Sequence, residues 1–156
     1  MKKKPTNKIN AAVIGLGFGL MHAETYKNNK NCNLIYLCDF DKKHKKICKK
    51  KFNCIFSTNS NSIISNKNID IISIASYDNY HSSQILLALK NKKHVFVEKP
   101  LCQTDRELDN IKKELKKNKS LKFSSNFVLR AHPKFVKIFK LIKRNLIGKI
   151  YHIEGE

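Results

Sequence analysis

The chain has 156 residues, enough for one ordinary domain and the start of another, and its hydrophobic content of 41% is enough for a buried core. It has no run of about 18 apolar residues and no apolar segment behind its basic start, so the sequence predicts neither a membrane span nor a secretory signal, and we expect a cytoplasmic protein. The formal net charge of +20 suits a nucleic-acid binder, but lysine supplies most of it and is spread over every predicted helix, so we expect no specific nucleic-acid partner.

The first predicted elements surround a glycine-rich turn. A basic leader, residues 1–8, is expected to be disordered. The apolar run over residues 11–14 is too short for a buried helix, so it predicts a strand, and residues 18–28 predict a helix. The two elements and the turn between them are typical of a nucleotide-binding fold.

The glycines of this turn have separate predicted roles. Gly15 lets the backbone turn sharply, and Gly17 leaves room for a pyrophosphate that any Cβ would hold away from the main chain. The free N–H groups and the positive end of the helix dipole would then face that phosphate. The usual third glycine would fall at Leu20, and Gly19 stands one position early, so the pattern favours phosphate binding more than close helix packing.

An acidic residue follows the second predicted strand. This strand covers residues 33–38 and ends at Asp39, about twenty positions beyond the glycines. A carboxylate there can accept hydrogen bonds from both adenosine ribose hydroxyls and would repel a 2′-phosphate, so NAD is favoured over NADP. Lys42 and Lys43 keep NADP open, and Asp39 as a simple turn residue is the alternative.

Helices and strands alternate along the rest of the chain. Thr104 and Glu107 form a predicted capping box at the start of one helix. The alternation predicts right-handed βαβ units in an α/β fold, a doubly wound parallel (Rossmann) sheet with strand order 3-2-1-4-5-6. The remaining predicted elements are helices over residues 41–51, within 59–68, over 79–90 and over 104–118, and strands over 54–56, 70–75, 94–97 and 121–125.

The five cysteines show no spacing typical of a zinc site. We therefore predict reduced, mostly buried thiols and no metal.

The predicted strand order brings the carboxyl ends of the first, fourth and fifth strands to one crevice. Residues 15–20, 76–81 and 98–100 would meet there. Lys99 is the candidate catalytic residue, because a lysine near a nicotinamide can donate a hydrogen bond to a substrate hydroxyl and favour loss of its proton. The alternative is a solvated surface lysine. Pro100 could aim Lys99 through a cis bond. We expect His22 to pack near the glycine turn and His81 to make structural hydrogen bonds.

Five segments and one acidic residue occur together in this sequence, namely GLGFGLMHA, Asp39, ASYDNYH, KHVFVEKPL, NFVLRAHPKF and NLIGKI. Together they resemble the Gfo/Idh/MocA family, which includes glucose-fructose oxidoreductase and inositol dehydrogenase. Tyr77 and Asp78 stand where proline and asparagine are usual in that family, a difference expected to affect the nicotinamide side of the site.

The resemblance implies an NAD(P)-dependent oxidoreductase that moves hydride between a sugar or nucleotide-sugar alcohol carbon and nicotinamide. Residues 9–126 would form the dinucleotide-binding domain. Residues 127–156 would supply a linker helix and, over 149–155, the first strand of a truncated α+β substrate domain. The family's catalytic histidine and most contacts of a homo-oligomer would then lie outside this chain, which alone would be inactive. A non-catalytic dinucleotide-binding module is the alternative. The predicted cofactor contacts are Gly15, Gly17, Phe18, Gly19, Leu20, Asp39, Ser76, Tyr77, His81, Glu98 and Lys99.

Overall fold

Six parallel strands form one sheet in the order β3-β2-β1-β4-β5-β6, which confirms the predicted doubly wound topology. The computed structural model describes residues 8–154, so the predicted disordered leader, apart from Lys8, lies outside the described residues. The strands are β1 (Ile9–Ile14), β2 (Cys32–Cys38), β3 (Ile55–Ser57), β4 (Ile71–Ile74), β5 (His94–Val97) and β6 (Phe123–Ser125). The helices are α1 (Gly19–Asn28), α2 (His44–Ile47), α3 (Ser60–Ile64), α4 (Asp78–Lys90), α5 (Asp105–Lys117), α6 (Val128–Ala131) and α7 (Pro133–Lys143).

The central strands are buried on both faces, as their continuous apolar sequences predict. Successive residues of β1 point to opposite faces and join different core clusters. Ala12 and Ile14 pack with α3, α4 and α5 residues, whereas Val13 packs with Leu16 and Ala23 near α1. The sheet is therefore held between two apolar layers, and its carboxyl edge is left for the loops.

The lysine-rich helix predicted over residues 41–51 has a more complex form. Only His44–Ile47 is α-helical, and the chain widens into a π-helical turn over Cys48–Phe52. Cys48 and Phe52 are buried in the core beside α1. The helical character was predicted correctly, but a run of lysines carries no signal that separates an α turn from a π turn.

The start of α5 has the predicted capping box. Thr104 Oγ1 accepts a hydrogen bond from the Glu107 N–H at 3.3 Å, and Glu107 Oε2 accepts one from the Thr104 N–H at 3.2 Å. The same carboxylate oxygen accepts a bond from the Gln103 N–H at 2.8 Å. The backbone N–H groups of Gln103, Thr104 and Glu107 thus all find side-chain acceptors at this helix start.

All five cysteines are free thiols, and none of them is fully exposed. Burial, together with the charge of Asp39, raises the pKa of Cys38 to about 12. Burial and the neighbouring Cys48 raise the pKa of Cys54 to about 12 as well. These two thiols therefore stay protonated and unreactive at neutral pH.

The chain divides into two compact units, one ending at Asn126 and one starting at Phe127. In the second unit α6 and α7 meet at His132, whose Nδ1 accepts a hydrogen bond from the Lys134 N–H. The strand predicted over residues 149–155 is absent from the described part, 149–154. A strand needs a neighbour to pair with, and no other strand of the described residues lies in this unit.

No helix within residues 8–154 has the length and apolar character needed to cross a membrane.

Candidate functional site

The carboxyl ends of neighbouring strands lie in register across the sheet. Ile14 of β1 pairs with Cys38 of β2 on one side and with Ile74 of β4 on the other. Ile74 pairs in turn with Val97 of β5. Four loops therefore begin side by side at one edge, with Gly15, Asp39, Ala75 and Glu98 as their first residues.

The glycine turn presses against the loop after β4. Gly15 has a φ of +84°, and a Cβ added there would lie 2.2 Å from the Ala75 carbonyl oxygen and 2.4 Å from the Ser76 nitrogen. No residue other than glycine fits this position without moving the main chain. A Cβ added at Gly17 would meet no atom within 4 Å, so the space beside its backbone is open to a ligand.

Gly19 provides the close helix packing that the displaced third glycine had left in question. It is the first residue of α1, and an added Cβ would lie 3.0 Å from Val13 Cγ1 and 3.4 Å from Ala75 Cβ. Leu20, the next residue of α1, is partly buried and packs against the core cluster that contains Val13 and Leu16. The helix approaches the sheet at its first residue, so the glycine needed for contact comes one position early.

The N-terminus of α1 carries no competing anion. Phe18 at the N-cap makes no side-chain capping hydrogen bond, and the first turn contains no acidic residue. The Phe18 side chain itself is exposed. The backbone donors of this turn and the positive end of the helix dipole are therefore available to an anionic ligand.

Asp39 is buried beneath the glycine turn, with 8% of its surface exposed. Its Oδ2 accepts a hydrogen bond from the Leu16 N–H at 2.7 Å, and its Oδ1 accepts one from the Asp41 N–H at 2.8 Å. His44 Nδ1 lies 3.4 Å from Oδ2, beyond a normal hydrogen bond. Each carboxylate oxygen keeps a further lone pair for an outside donor. The link to Leu16 was not predicted, because a backbone donor leaves no mark in the sequence.

One of the two lysines near Asp39 is already paired. Lys43 Nζ lies 2.7 Å from Asp41 Oδ2, and this hydrogen bond raises the pKa of Lys43. Lys42 is exposed. Of these two lysines, Lys42 is therefore the one without an ion-pair partner among residues 8–154.

His81 ties the loop after β4 to the loop after β5. Its Nδ1 lies 2.7 Å from the Pro100 carbonyl oxygen and its Nε2 lies 3.0 Å from the Ser76 carbonyl oxygen. Carbonyl oxygens only accept, so a ring nitrogen of His81 that carries a proton donates to the carbonyl oxygen facing it. The exposure of His81 is 0%, which leaves no atom for direct contact with a ligand. Its predicted structural role fits these contacts, whereas its predicted place among the cofactor contacts does not.

Lys99 lies exposed at the end of β5. Its Nζ has no hydrogen-bond partner among residues 8–154, and its N–H donates to Glu98 Oε2 at 3.3 Å. The bond between Lys99 and Pro100 is cis, as the sequence suggested. The lysine therefore points its charge into solvent at the shared edge of the sheet.

A polar network beneath Lys99 was not predicted. His22 of α1 bridges the sheet, with Nδ1 2.9 Å from Ser73 Oγ and Nε2 2.9 Å from Glu98 Oε1. Asn126 Nδ2 donates to the same Glu98 oxygen at 2.7 Å. Burial alone would raise the pKa of Glu98, but the hydrogen bonds from Asn126 and His22 outweigh it and lower that pKa. The described residues contain no group of three His, Cys, Asp or Glu side chains placed to hold a metal ion.

A family model described as "Oxidoreductase family, NAD-binding Rossmann fold" matches residues 9–127. The chain belongs to this Gfo/Idh/MocA oxidoreductase family. The match includes the glycine turn, Asp39 and the loop that begins at Glu98. It confirms the resemblance seen in the sequence, and it makes the parallel sheet the NAD-binding Rossmann domain of the family.

Curated relatives and solved structures agree with this assignment. The chain is 31% identical over 139 residues to myo-inositol 2-dehydrogenase of Thermotoga maritima, covering 88% of the chain and 41% of the relative. It is 27% identical over 143 residues to 2,7-anhydro-N-acetylneuraminate hydratase of Escherichia coli K12, covering 91% and 38%. The crystal structure of myo-inositol 2-dehydrogenase from Lactobacillus plantarum matches with a TM-score of 0.86 and 29% identity, covering 92% of this chain and 43% of that one. The chain thus spans about 40% of the length of the curated relatives it matches.

Proposed function

We propose that residues 9–126 bind NAD across the carboxyl edge of the sheet. In the whole protein, this NAD would exchange hydride with an alcohol carbon of a sugar-like substrate. The main support for this proposal is the alignment of four strand ends, because the candidate loops all begin there. The strands end in register at Cys38, Ile14, Ile74 and Val97. The chain is then the nucleotide-binding portion of a longer, cytoplasmic enzyme that assembles with further copies.

The glycine turn fits the pyrophosphate of a dinucleotide. The open space at Gly17 admits a phosphate to the main chain, and the uncapped start of α1 offers it N–H donors. The α1 helix has 10 residues, long enough for its dipole to favour an anion at this end. Gly15 and Gly19 support the site indirectly, since each permits a close backbone contact that positions the turn.

Asp39 fits the adenosine ribose and favours NAD over NADP. Its remaining lone pairs can accept hydrogen bonds from ribose hydroxyls, while its charge opposes a 2′-phosphate. Of the two lysines that could offset this repulsion, Lys43 is held by Asp41 at 2.7 Å, and Lys42 remains available.

Lys99 is the group of this chain that we place nearest the chemistry. Bound NAD supplies the hydride acceptor or donor. Lys99 donates a hydrogen bond to the reacting hydroxyl oxygen and stabilises the negative charge that develops there as its proton leaves. Its exposed Nζ is free for this contact, and Glu98, held by His22 and Asn126, fixes the backbone directly before it.

The substrate class follows from the relatives rather than from a pocket in this chain. One matched relative carries the name myo-inositol 2-dehydrogenase, and inositol is a ring of secondary alcohols. Another is named 2,7-anhydro-N-acetylneuraminate hydratase, and the compound in that name is a derivative of a sugar acid. A polyhydroxylated, sugar-like ring is common to both, so we assign this class to the whole protein.

Calorimetric titration of the 156-residue chain tests the cofactor proposal. We expect wild type to bind NAD more tightly than NADPH. Asp39→Ala is expected to weaken NAD binding about tenfold or more, because a charged hydrogen-bond acceptor is lost, and to shift the NAD to NADPH preference towards NADPH. The preference is the decisive quantity, since a merely loosened glycine turn would weaken both cofactors alike.

Asp109→Ala is the matched control, because this α5 carboxylate has 65% of its side chain exposed and lies on a helix rather than at the sheet edge. It is expected to leave both affinities unchanged. Equal NAD affinity in wild type and Asp39→Ala would remove Asp39 from the ribose. No heat of NAD binding to wild type would contradict the whole proposal.

A further inference from the structure

Two exposed aromatic rings meet across separate loops at the carboxyl edge of the sheet. Phe40, directly after Asp39, is 73% exposed, and Tyr77, the N-cap residue of α4, is 66% exposed. Their ring centroids lie 6.0 Å apart with the planes inclined by 30°. Each ring buries little against the other, so their mutual packing does not account for placing both in solvent.

The backbone beneath both rings is fixed by hydrogen bonds. On one side, the Asp41 N–H donates to Asp39 Oδ1 at 2.8 Å and closes a turn around Phe40. On the other side, the Tyr80 N–H donates to the Tyr77 carbonyl oxygen at 2.9 Å in the first turn of α4. Phe40 and Tyr77 together form an exposed aromatic platform. Because hydrogen bonds already fix the backbone beneath both rings, a ligand that binds there loses little free energy in ordering them.

The neighbouring chemistry identifies the group that fits this platform. Phe40 adjoins Asp39, the residue proposed to hold the adenosine ribose, so a base attached to that ribose lies within reach of both rings. A flat, neutral, aromatic base suits a surface of two ring faces far better than a phosphate or a sugar does. A base held between two faces needs about 7 Å between the rings, at about 3.5 Å per contact. The observed 6.0 Å is close to that value, and most of each side chain is exposed to solvent.

We propose that Phe40 and Tyr77 form an aromatic clamp for the adenine base of the dinucleotide. This inference rests on the proposed function and adds to it the residues that recognise the base. It also places Tyr77 at the adenosine end, whereas the sequence suggested an effect at the nicotinamide end. The affinity contributed by the clamp is independent of the ribose 2′ position, so it serves NAD without discriminating against NADP.

Tryptophan fluorescence offers a direct test, because the chain contains no tryptophan. Phe40→Trp and Tyr77→Trp each introduce a single reporter at the platform. Ile9→Trp is the matched control, since Ile9 is exposed at the amino end of β1, at the opposite edge of the sheet. We expect ADP-ribose to quench the two platform reporters and to leave the control unchanged. Nicotinamide mononucleotide, which lacks adenine, is expected to quench none of them.

Alanine variants measure the contribution of each ring. Phe40→Ala and Tyr77→Ala are each expected to weaken NAD binding about tenfold to a hundredfold in calorimetry, the range for loss of one base–aromatic stack. Both rings are exposed, so the circular dichroism spectrum and the unfolding midpoint should stay as in wild type.

The two proposals fail in different ways. NAD binding by wild type with unchanged affinity in both alanine variants overturns the clamp and leaves the proposed function standing. Quenching of the platform reporters by nicotinamide mononucleotide also overturns the clamp, since the rings would then face the other end of the cofactor. Absence of NAD and ADP-ribose binding to wild type overturns the proposed function and the clamp together.

Discussion

Gly15, Gly17 and Gly19 stand two residues apart, and a methyl group added at each would meet a different environment. At Gly15 it would overlap the main chain of Ala75 and Ser76, and at Gly19 it would press on Val13 at 3.0 Å. At Gly17 it would meet no protein atom within 4 Å. Protein packing therefore explains the first and third glycines, and room for a ligand is the remaining reason for the second.

This contrast leads to a paired prediction. Gly15→Ala should lower the free energy of unfolding by more than about 2 kcal/mol, because an L-residue at a φ of +84° is strained and its Cβ overlaps backbone atoms. Gly17→Ala should stay within about 1 kcal/mol of wild type yet bind NAD at least about tenfold more weakly. Urea unfolding and calorimetry on both variants measure these effects. Unaltered NAD affinity in Gly17→Ala would show that no phosphate approaches this backbone.

Some residues of the candidate site can be located from the sequence, and others cannot. The places of the glycine turn, Asp39 and Lys99 at the carboxyl ends of β1, β2 and β5 were predictable, because each closely follows an apolar run that predicts a strand. The network of His22 with Ser73 and Glu98 was not, since these residues are far apart in the chain and meet only through the fold. Phe40 was also overlooked, because a single exposed phenylalanine has no periodic signal in a sequence.

The Glu98 network predicts a pH dependence of stability. Its pKa is lowered in the folded state from an ordinary value of 4.5, since the hydrogen bonds from Asn126 and His22 outweigh burial. A carboxyl with a lowered folded-state pKa contributes stability that is fully present above its unfolded value and is lost as the pH falls through the folded one. We therefore expect the free energy of unfolding to hold at neutral pH and to fall below about pH 4.5.

Urea unfolding between pH 3 and 7 on wild type and Glu98→Gln measures this dependence. The variant should be less stable than wild type at pH 7 and should lose less stability on acidification. Glu24→Gln serves as the control, since this glutamate pairs with Lys51 at the surface and should give the wild-type profile. Parallel profiles for wild type and Glu98→Gln would show that Glu98 makes no such contribution.

At the scale of elements, the strands and the longer helices were predictable because burial imposes a pattern. Continuous apolar runs marked β1 and β4, and the apolar face of α4 was recognisable from Ile85, Ala88 and Leu89, which are fully buried. Prediction was weaker at α2, where lysines outnumber apolar residues. It failed at residues 149–154, where the sequence looks strand-like but the second unit contains no described strand with which it could pair.

The capping box of α5 gives a prediction at this scale. Thr104→Ala should lower the free energy of unfolding by about 1 kcal/mol, because the Glu107 N–H loses its acceptor and the helix start its fixed geometry. Thr25→Ala is the matched control, since the Thr25 hydroxyl donates to the Met21 carbonyl inside α1 and caps nothing. Its stability should remain within about 0.5 kcal/mol of wild type. Urea unfolding measures both values. An equal loss of unfolding free energy in the two variants would mean that the capping box does not stabilise the helix beyond an ordinary threonine contact.

For the whole molecule, the arrangement of the sheet carries the functional meaning. The order β3-β2-β1-β4-β5-β6 puts the topological switch between β1 and β4, where the glycine turn and the loop after β4 press together. This order was predictable from the alternation of strands and helices, because right-handed crossovers leave few alternatives. For the candidate site, the sequence predicted only that the loops after these strands would lie close together. Its internal contacts depend on backbone groups and on side chains brought in from neighbouring elements.

An NMR titration of the isotope-labelled chain with NAD, followed through backbone amide shifts, tests the meeting of these loops most directly. If the loops meet as described, saturating NAD shifts the amides of four segments and leaves those of the lysine-rich residues 42–51 and of the amino edge of the sheet unchanged. The four segments are residues 15–20, 39–41, 76–78 and 98–99. Shifts confined to residues 42–51, or shifts in the glycine turn with none at residues 39–41 and 98–99, would contradict it.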